Sequence, residues 1–188
     1  MKTIFSKHFL LSMISIVCYA FILSYPMWNF KFKAPQYPDG LELQVYMTGT
    51  KGDVFEIDII NHYIGMQKLE LAAQNERAIA PYVIALLAIF SLLLAILPKN
   101  KFARFLSLAN IGFPIAFVAV FYLWLYKFGH DLNPAAPVDL APFTPTILGT
   151  GIIGQFTTFA YPGPGFYLAL IPAVISLVIA FKRKTPKS

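Results

Sequence analysis

The chain has 188 residues, 57% of them hydrophobic, with a formal net charge of +6 and a mean hydropathy of +0.64. That composition excludes an ordinary soluble domain and fits a small polytopic membrane protein. It also excludes a nucleic-acid role, because the basic residues flank apolar stretches and form no soluble basic face that could neutralise phosphates.

Taken in order, the apolar stretches are Phe9–Phe30, Ala78–Leu97, Phe105–Tyr126 and Phe166–Phe181. The first and third have the roughly 20 apolar residues needed to cross about 30 Å of hydrocarbon. The second reaches that length from Ala78, just before Pro81, and the fourth is short unless it begins within Tyr161-Pro162-Gly163-Pro164-Gly165. Residues 1–30 read as an uncleaved signal anchor: Lys2 and Lys7 precede the run, which exceeds a usual signal h-region and is followed by no Ala-x-Ala site. Cys18 is the only cysteine, so it forms no intramolecular disulfide and serves as a small apolar residue within the first span.

Charge orients these spans. The segments holding Lys2, Lys7, Lys99, Lys101, Arg104, Lys182, Arg183, Lys184 and Lys187 contain no acid. All nine acids, Asp39, Glu42, Asp53, Glu56, Asp58, Glu70, Glu76, Asp131 and Asp139, fall in the other two loops. Short cytoplasmic loops retain Lys and Arg, which puts both termini inside and two loops outside a bacterial inner membrane.

Residues 31–77 have soluble character. Pro35 and Pro38-Asp39-Gly40 mark a turn. Leu41–Met47 and Val54–Ile60 alternate apolar and polar residues around Thr48-Gly49-Thr50-Lys51-Gly52-Asp53, which predicts a β-hairpin, and Gln67–Arg77 reads as an interfacial helix feeding the second span. Residues 78–126 form a helical hairpin of two spans. In 127–165, Pro134, Pro137, Pro142 and Pro145 rule out regular helix over that stretch, and Ile147–Gly154 reads as a glycine-punctuated re-entrant or interfacial segment. Residues 166–188 hold the last span and a basic tail. The expected fold is therefore an integral membrane, mainly α protein: four transmembrane helices, a small extracytoplasmic β-hairpin and a Pro/Gly-rich outer loop.

Candidate chemistry is sparse. His62 and Met66 are four apart, so a helical turn would put imidazole and thioether on one face, a pairing that suits copper. His130, beside Asp131, is a further outer-side candidate, and Met27 and Met47 lie on the same side. Plain packing competes with this metal reading. Nucleotide-binding glycine motifs, a nucleophile elbow, zinc-protease motifs and paired haem histidines are absent, which argues against an autonomous enzyme. The spans also lack the polar residues and internal symmetry of a transporter.

Two stretches carry a resemblance: Ile60-Asn61-His62-Tyr63-Ile64-Gly65-Met66, and the run from Gly129-His130-Asp131-Leu132-Asn133-Pro134 through Pro142-Phe143-Thr144-Pro145 to Ile152-Ile153-Gly154-Gln155-Phe156-Thr157. With Pro35-Gln36-Tyr37-Pro38, they resemble the NosB-like small membrane proteins encoded in nitrous-oxide-reductase (nos) gene clusters, over roughly Pro35–Phe166. The resemblance implies an accessory, non-catalytic role in nitrous-oxide respiration: maturation of the copper reductase, docking of membrane or periplasmic partners, or copper handling. A structural subunit of a respiratory or quinol-oxidising complex is the alternative.

Overall fold

The computed structural model describes residues 2–97 and 101–182, with side chains placed within 9–97 and 101–180. Among them are five α-helices and a five-stranded antiparallel sheet. This corrects the expected four-span, mainly α membrane fold. Among the described residues, two helices, Gln74–Ile96 and Lys101–His130, are long and apolar enough to cross a membrane, with mean hydropathies of 2.6 and 1.9. Within the residues whose side chains are described, the first and last apolar stretches supply the apolar helical segments Phe9–Ile22 and Pro164–Ala180. Proline bounds both at the sheet end. The first helix, α1 (Lys2–Ile22), ends ahead of Pro26, and the last begins at Pro164, the first-turn position where a missing N–H costs nothing.

The end of the predicted first span is a strand. β1 (Trp28–Ala34) pairs with β2 (Tyr37–Tyr46), and β2 pairs with the short β3 (Gly49–Gly52). The chain turns at Pro35-Gln36, while Pro38-Asp39-Gly40, expected in the turn, lies inside β2 as a bulge between the Ala34↔Tyr37 and Phe32↔Leu41 pairs. A bulge is one of the few places where a strand accepts proline.

The second predicted strand is a helix. Val54–Tyr63 forms α2, with Glu56 in its first turn favourably placed against the helix dipole. Ile57, Ile60, Asn61 and Ile64 recur at helical spacing on one wall, whereas Phe55 is 73% exposed. The apolar residues of this segment satisfy a period of two and a helical period together. The tertiary structure selects the second because β2 is already paired on both edges, by β1 and β3. The predicted interfacial helix shrinks to one 3-10 turn, Leu69–Leu71, before α3 (Gln74–Ile96) begins.

After α4 (Lys101–His130), the proline-rich loop leads to β4 (Gly149–Ile153) and β5 (Phe156–Pro162), and then to α5 (Pro164–Lys182). The predicted re-entrant segment is thus half of a hairpin. Phe156, Thr158 and Ala160 face inward from β5 and Thr157 and Phe159 are less buried, a two-residue period that marks a strand with one covered face. The sheet order is β3-β2-β1-β5-β4, so the register from Trp28↔Pro162 to Lys33↔Thr157 joins residues more than a hundred positions apart.

Helices α1, α3, α4 and α5 pack side by side: α1 on α3 and α5, and α4 on α3 and α5. Their interior is partly polar, contrary to the reading of spans without polar residues. Tyr19 Oη donates to Asn110 Oδ1 at 2.7 Å, and Ser91 Oγ donates to the Leu87 carbonyl at 3.0 Å and reaches the same Asn110 oxygen at 3.4 Å. Ser12, Ser15, Ser107 and Ser176 are buried in the same helices. Small polar residues let helix backbones approach closely, and their hydrogen bonds join neighbouring helices where water is absent.

Lys101 and Arg104 begin α4 at the end far from the sheet, while the acids gather at the sheet end. Lys99, Arg183, Lys184 and Lys187 lie outside the described residues, and Lys2, Lys7 and Lys182 are placed by backbone alone.

Candidate functional site

The inner face of the sheet does not close onto the helices. Trp28, Phe30, Leu41, Leu43, Ile57 and Ala160 form a core on which Phe117, Phe121 and Leu125 of α4 pack. Trp28 is fixed in place by donating Nε1–H to the Ile147 carbonyl at 2.7 Å, with the Phe121 and Phe166 rings 5.5 and 5.3 Å away. Beside this cluster the walls part. A half-open cavity of about 950 Å³ runs between the sheet, α2, the residues from Met66 to Ala73, the start of α3 and the later half of α4.

Its lining follows from sequence position. The inward residues of the strands, Phe30, Phe32, Leu41, Leu43, Val45 and Phe156, make one wall. Phe113, Phe117, Val120, Phe121 and Trp124, one to two helical turns apart on α4, make the opposite wall. Phe117 and Phe121 stack with ring centres 5.7 Å apart, and Phe30 sits 6.0 Å from Phe121, so the aromatic wall is internally braced. Rigid rings that brace one another cannot collapse to fill the space as flexible side chains would.

A few polar groups enter this apolar space. Arg77 lines it, half-buried, and donates to the Leu69 carbonyl at 3.1 Å and the Glu70 carbonyl at 3.4 Å. Asn61 lines it at 6% exposure, and its side-chain amide has no hydrogen-bond partner among the described residues. Leu69 joins α2 to the start of α3: its N–H donates to Asp58 Oδ1 at 2.8 Å, and its carbonyl accepts from Arg77. Glu76 is exposed at the rim, where its carboxylate accepts Trp124 Nε1–H at 3.3 Å.

The predicted metal residues separate. α2 ends after Tyr63 in a Schellman motif: Gly65 N–H donates to the His62 carbonyl at 3.3 Å and Met66 N–H to the Asn61 carbonyl at 2.8 Å. Gly65 adopts φ +79°, and a Cβ there would press on the Asn133 backbone, so glycine is required twice over. The helix therefore stops between His62 and Met66, and the shared helical face is not formed. His62 is exposed beside the Tyr63 ring, whereas Met66 is half-buried on the cavity wall. His130 lies at the end of α4, stacked 3.9 Å from the Tyr126 ring, with Nδ1 at 2.9 Å from the Tyr126 carbonyl. Among the described residues, no three His, Cys, Asp or Glu side chains cluster as a metal site.

The two motif-bearing stretches do meet. Asn133 N–H donates to the Gly65 carbonyl at 2.8 Å and Val138 N–H to the Tyr63 carbonyl at 3.0 Å. Phe143 N–H donates to the Gly129 carbonyl at 2.9 Å, an approach so close that a Cβ on Gly129 would meet the Phe143 carbonyl. Sequence reasoning missed the cavity, Asn61 and Arg77. The alternation from Phe156 to Ala160 was the available signal, because a second inward-facing strand pair would have implied a sheet large enough to enclose space. No family model matches the chain, and no curated protein matches it in sequence.

Proposed function

We propose that this chain is a non-catalytic membrane accessory protein that supports nitrous-oxide respiration, and that its own act is to hold an apolar molecule taken from the bilayer. The cavity carries the binding part of this reading. At about 950 Å³ it lies within the size range of small-molecule sites, with apolar walls and few polar groups, as such sites have. The resemblance carries the respiratory part. Ile60, Asn61, Tyr63, Ile64 and Met66 of one resembling stretch and Pro145, Ile153, Gln155 and Phe156 of the other line the same cavity, so the residues that suggest the context also build the site.

In this reading α3 and α4 lie in a bacterial inner membrane, with the basic end of the pair, at Lys101 and Arg104, cytoplasmic and the acidic sheet end outside. Cysteines introduced at Lys51 and Asp139 in a Cys18→Ala background should react with membrane-impermeant reagents, and one at Lys101 should not. The reverse pattern overturns the orientation. Deleting the gene should impair whole-cell nitrous-oxide reduction in a host that has the reductase. Unchanged growth on nitrous oxide as sole acceptor would remove the respiratory role while leaving the binding role standing.

The alternative, a structural subunit of a respiratory or quinol-oxidising complex, is favoured by the apolar residues that the sheet end presents outward, Phe55 at 73% and Ile152 at 77% exposure. Co-purification of a stoichiometric membrane complex, lost on Phe55→Asp or Ile152→Asp substitution, would select it. Copper binding draws no support from the positions of His62, Met66 and His130.

A further inference from the structure

The polar groups inside the cavity specify more than an apolar guest. Asn61 is nine-tenths buried, has no partner for its amide among the described residues, and stands on the cavity wall. The amide is not sealed off, unlike Thr158 Oγ1, which lines the same cavity buried and without a partner; it opens to the cavity, where a guest can supply its hydrogen bonds. Arg77 stands on the same cavity, engaged by two backbone carbonyls and by no carboxylate within ion-pair distance. Its planar guanidinium has five N–H donors, and two contacts leave donors to spare. Leu69 links the two elements that carry them, its N–H donating to Asp58 on α2 and its carbonyl accepting from Arg77, and both Asn61 and Arg77 line the one cavity.

The charge lining the cavity decides the kind of head group. Among the described residues, the charged side chains lining the cavity are Arg77 and Glu76, of opposite sign, with Glu76 bonded to Trp124. A lining of one cation and one anion has no net charge to neutralise a charged guest, which leaves a neutral hydrogen-bond acceptor as the better match. We infer that the cavity binds a neutral amphiphile whose head carries carbonyl oxygens, received by Asn61 and Arg77, and whose hydrocarbon tail lies along the Phe117–Phe121 wall. An isoprenoid-type quinone and a neutral acyl ester share that chemistry. This inference rests on the proposed binding role and adds the head-group chemistry to it.

Trp124 lines the cavity and Trp28 does not, so quenching of Trp124 fluorescence reports occupancy in the full-length protein in detergent. The probes are decylubiquinone, the methyl ester of dibromostearate, dibromostearate itself and dibromo-octadecane, which has a tail and no head. The quinone or the ester should quench saturably, about tenfold more tightly than the carboxylate, and the quenching should vanish in Trp124→Phe. Whichever neutral probe binds more tightly identifies the source of the carbonyl head.

Asn61→Leu and, separately, Arg77→Met should each weaken the neutral carbonyl probe about tenfold, the size of a lost hydrogen bond to a buried or charged partner. Binding of dibromo-octadecane should stay unchanged in both variants, which also shows that the cavity is intact. Carboxylate binding as tight as the ester, or neutral binding indifferent to both substitutions, overturns the head-group assignment while sparing the cavity. Failure of all four probes, the headless one included, overturns the binding role itself.

Discussion

Where α1, α3, α4 and α5 meet away from the sheet, small side chains let the helices close up. Ser12, Ser15, Ser91, Ala95, Ala103, Ser107, Ala169 and Ala173 are all buried there. Between the sheet and the later half of α4 the walls carry Phe30, Phe32, Phe113, Phe117, Phe121 and Trp124, and they stand apart around a cavity. Both regions are apolar in bulk, and α4 runs through both. The difference is side-chain size and shape: Ala and Ser permit backbone contact, while braced rings hold their backbones off and leave a space that a protein interior normally fills. The closed region joins Tyr19, Ser91 and Asn110 and leaves Ser12 Oγ without a partner, whereas on the open side Thr158 Oγ1 and the Asn61 amide have none among the described residues.

Substitutions can break that comparison, and the largest effect is expected at the junction of α4 with the proline-rich loop. Gly129→Val would drive a side chain into the Phe143 carbonyl and sever the loop that covers the cavity. Overpacking of this kind costs about 1–3 kcal/mol or more, so thermal denaturation in detergent should show a clearly less stable protein. A variant with wild-type stability would mean that the loop is free to move aside.

Next in size is one change made in both regions. Ala169→Leu, at a residue with 0% exposure, should cost about 1–3 kcal/mol, because the helices there have no space to give. Ala116→Leu, on the cavity wall, should change stability by less than about 0.5 kcal/mol. Equal costs at the two positions would show that the cavity closes in solution.

Asn110→Leu removes the acceptor of the Tyr19 hydroxyl and should destabilise by about 1–2 kcal/mol. Adding Tyr19→Phe to Asn110→Leu should cost little more, since the hydroxyl it removes has already lost its acceptor. Strict additivity in the double-variant cycle would mean that the bond does not link α1 to α4. The smallest effect concerns copper. His62→Ala combined with Met66→Leu should leave the copper content of purified, reduced protein unchanged, because the helix ends between the two side chains. A clear loss of copper in the variant would restore the metal reading and require a ligand set that these positions do not make.

Much of the framework was legible in the chain. The apolar runs located the cores of α3 and α4, and the segregation of acids from the Lys101–Arg104 end was visible without coordinates. Leu41, Leu43 and Val45 correctly marked a strand. The misreadings have a shared cause, which is that a local period is decided by partners far away in sequence. Trp28–Phe30 looked like the end of an apolar span and is a strand because residues 157–162 supply its second edge. Val54–Ile60 alternates well enough for a strand and is a helix because β2 has no free edge to offer it. Pro38-Asp39-Gly40 looked like a turn and is a bulge because the turn forms one step earlier, at Pro35-Gln36.

The candidate site divides in the same way. Spacing along one segment made His62 and Met66 seem a pair, but the left-handed Gly65 between them ends the helix and sends one side chain to the surface and the other to the cavity wall. Asn61 and Arg77 were not singled out as site residues in the sequence, since an asparagine beside a histidine and an arginine at the mouth of a span are ordinary punctuation. What the chain alone determined is an apolar protein with its acids segregated from most of its bases, because hydropathy and charge are properties of residues and need no partner. What only the tertiary structure decided is the cavity and the meeting of Asn61 and Arg77 on its wall, because enclosed space exists only where distant walls, each unremarkable alone, are held a fixed distance apart.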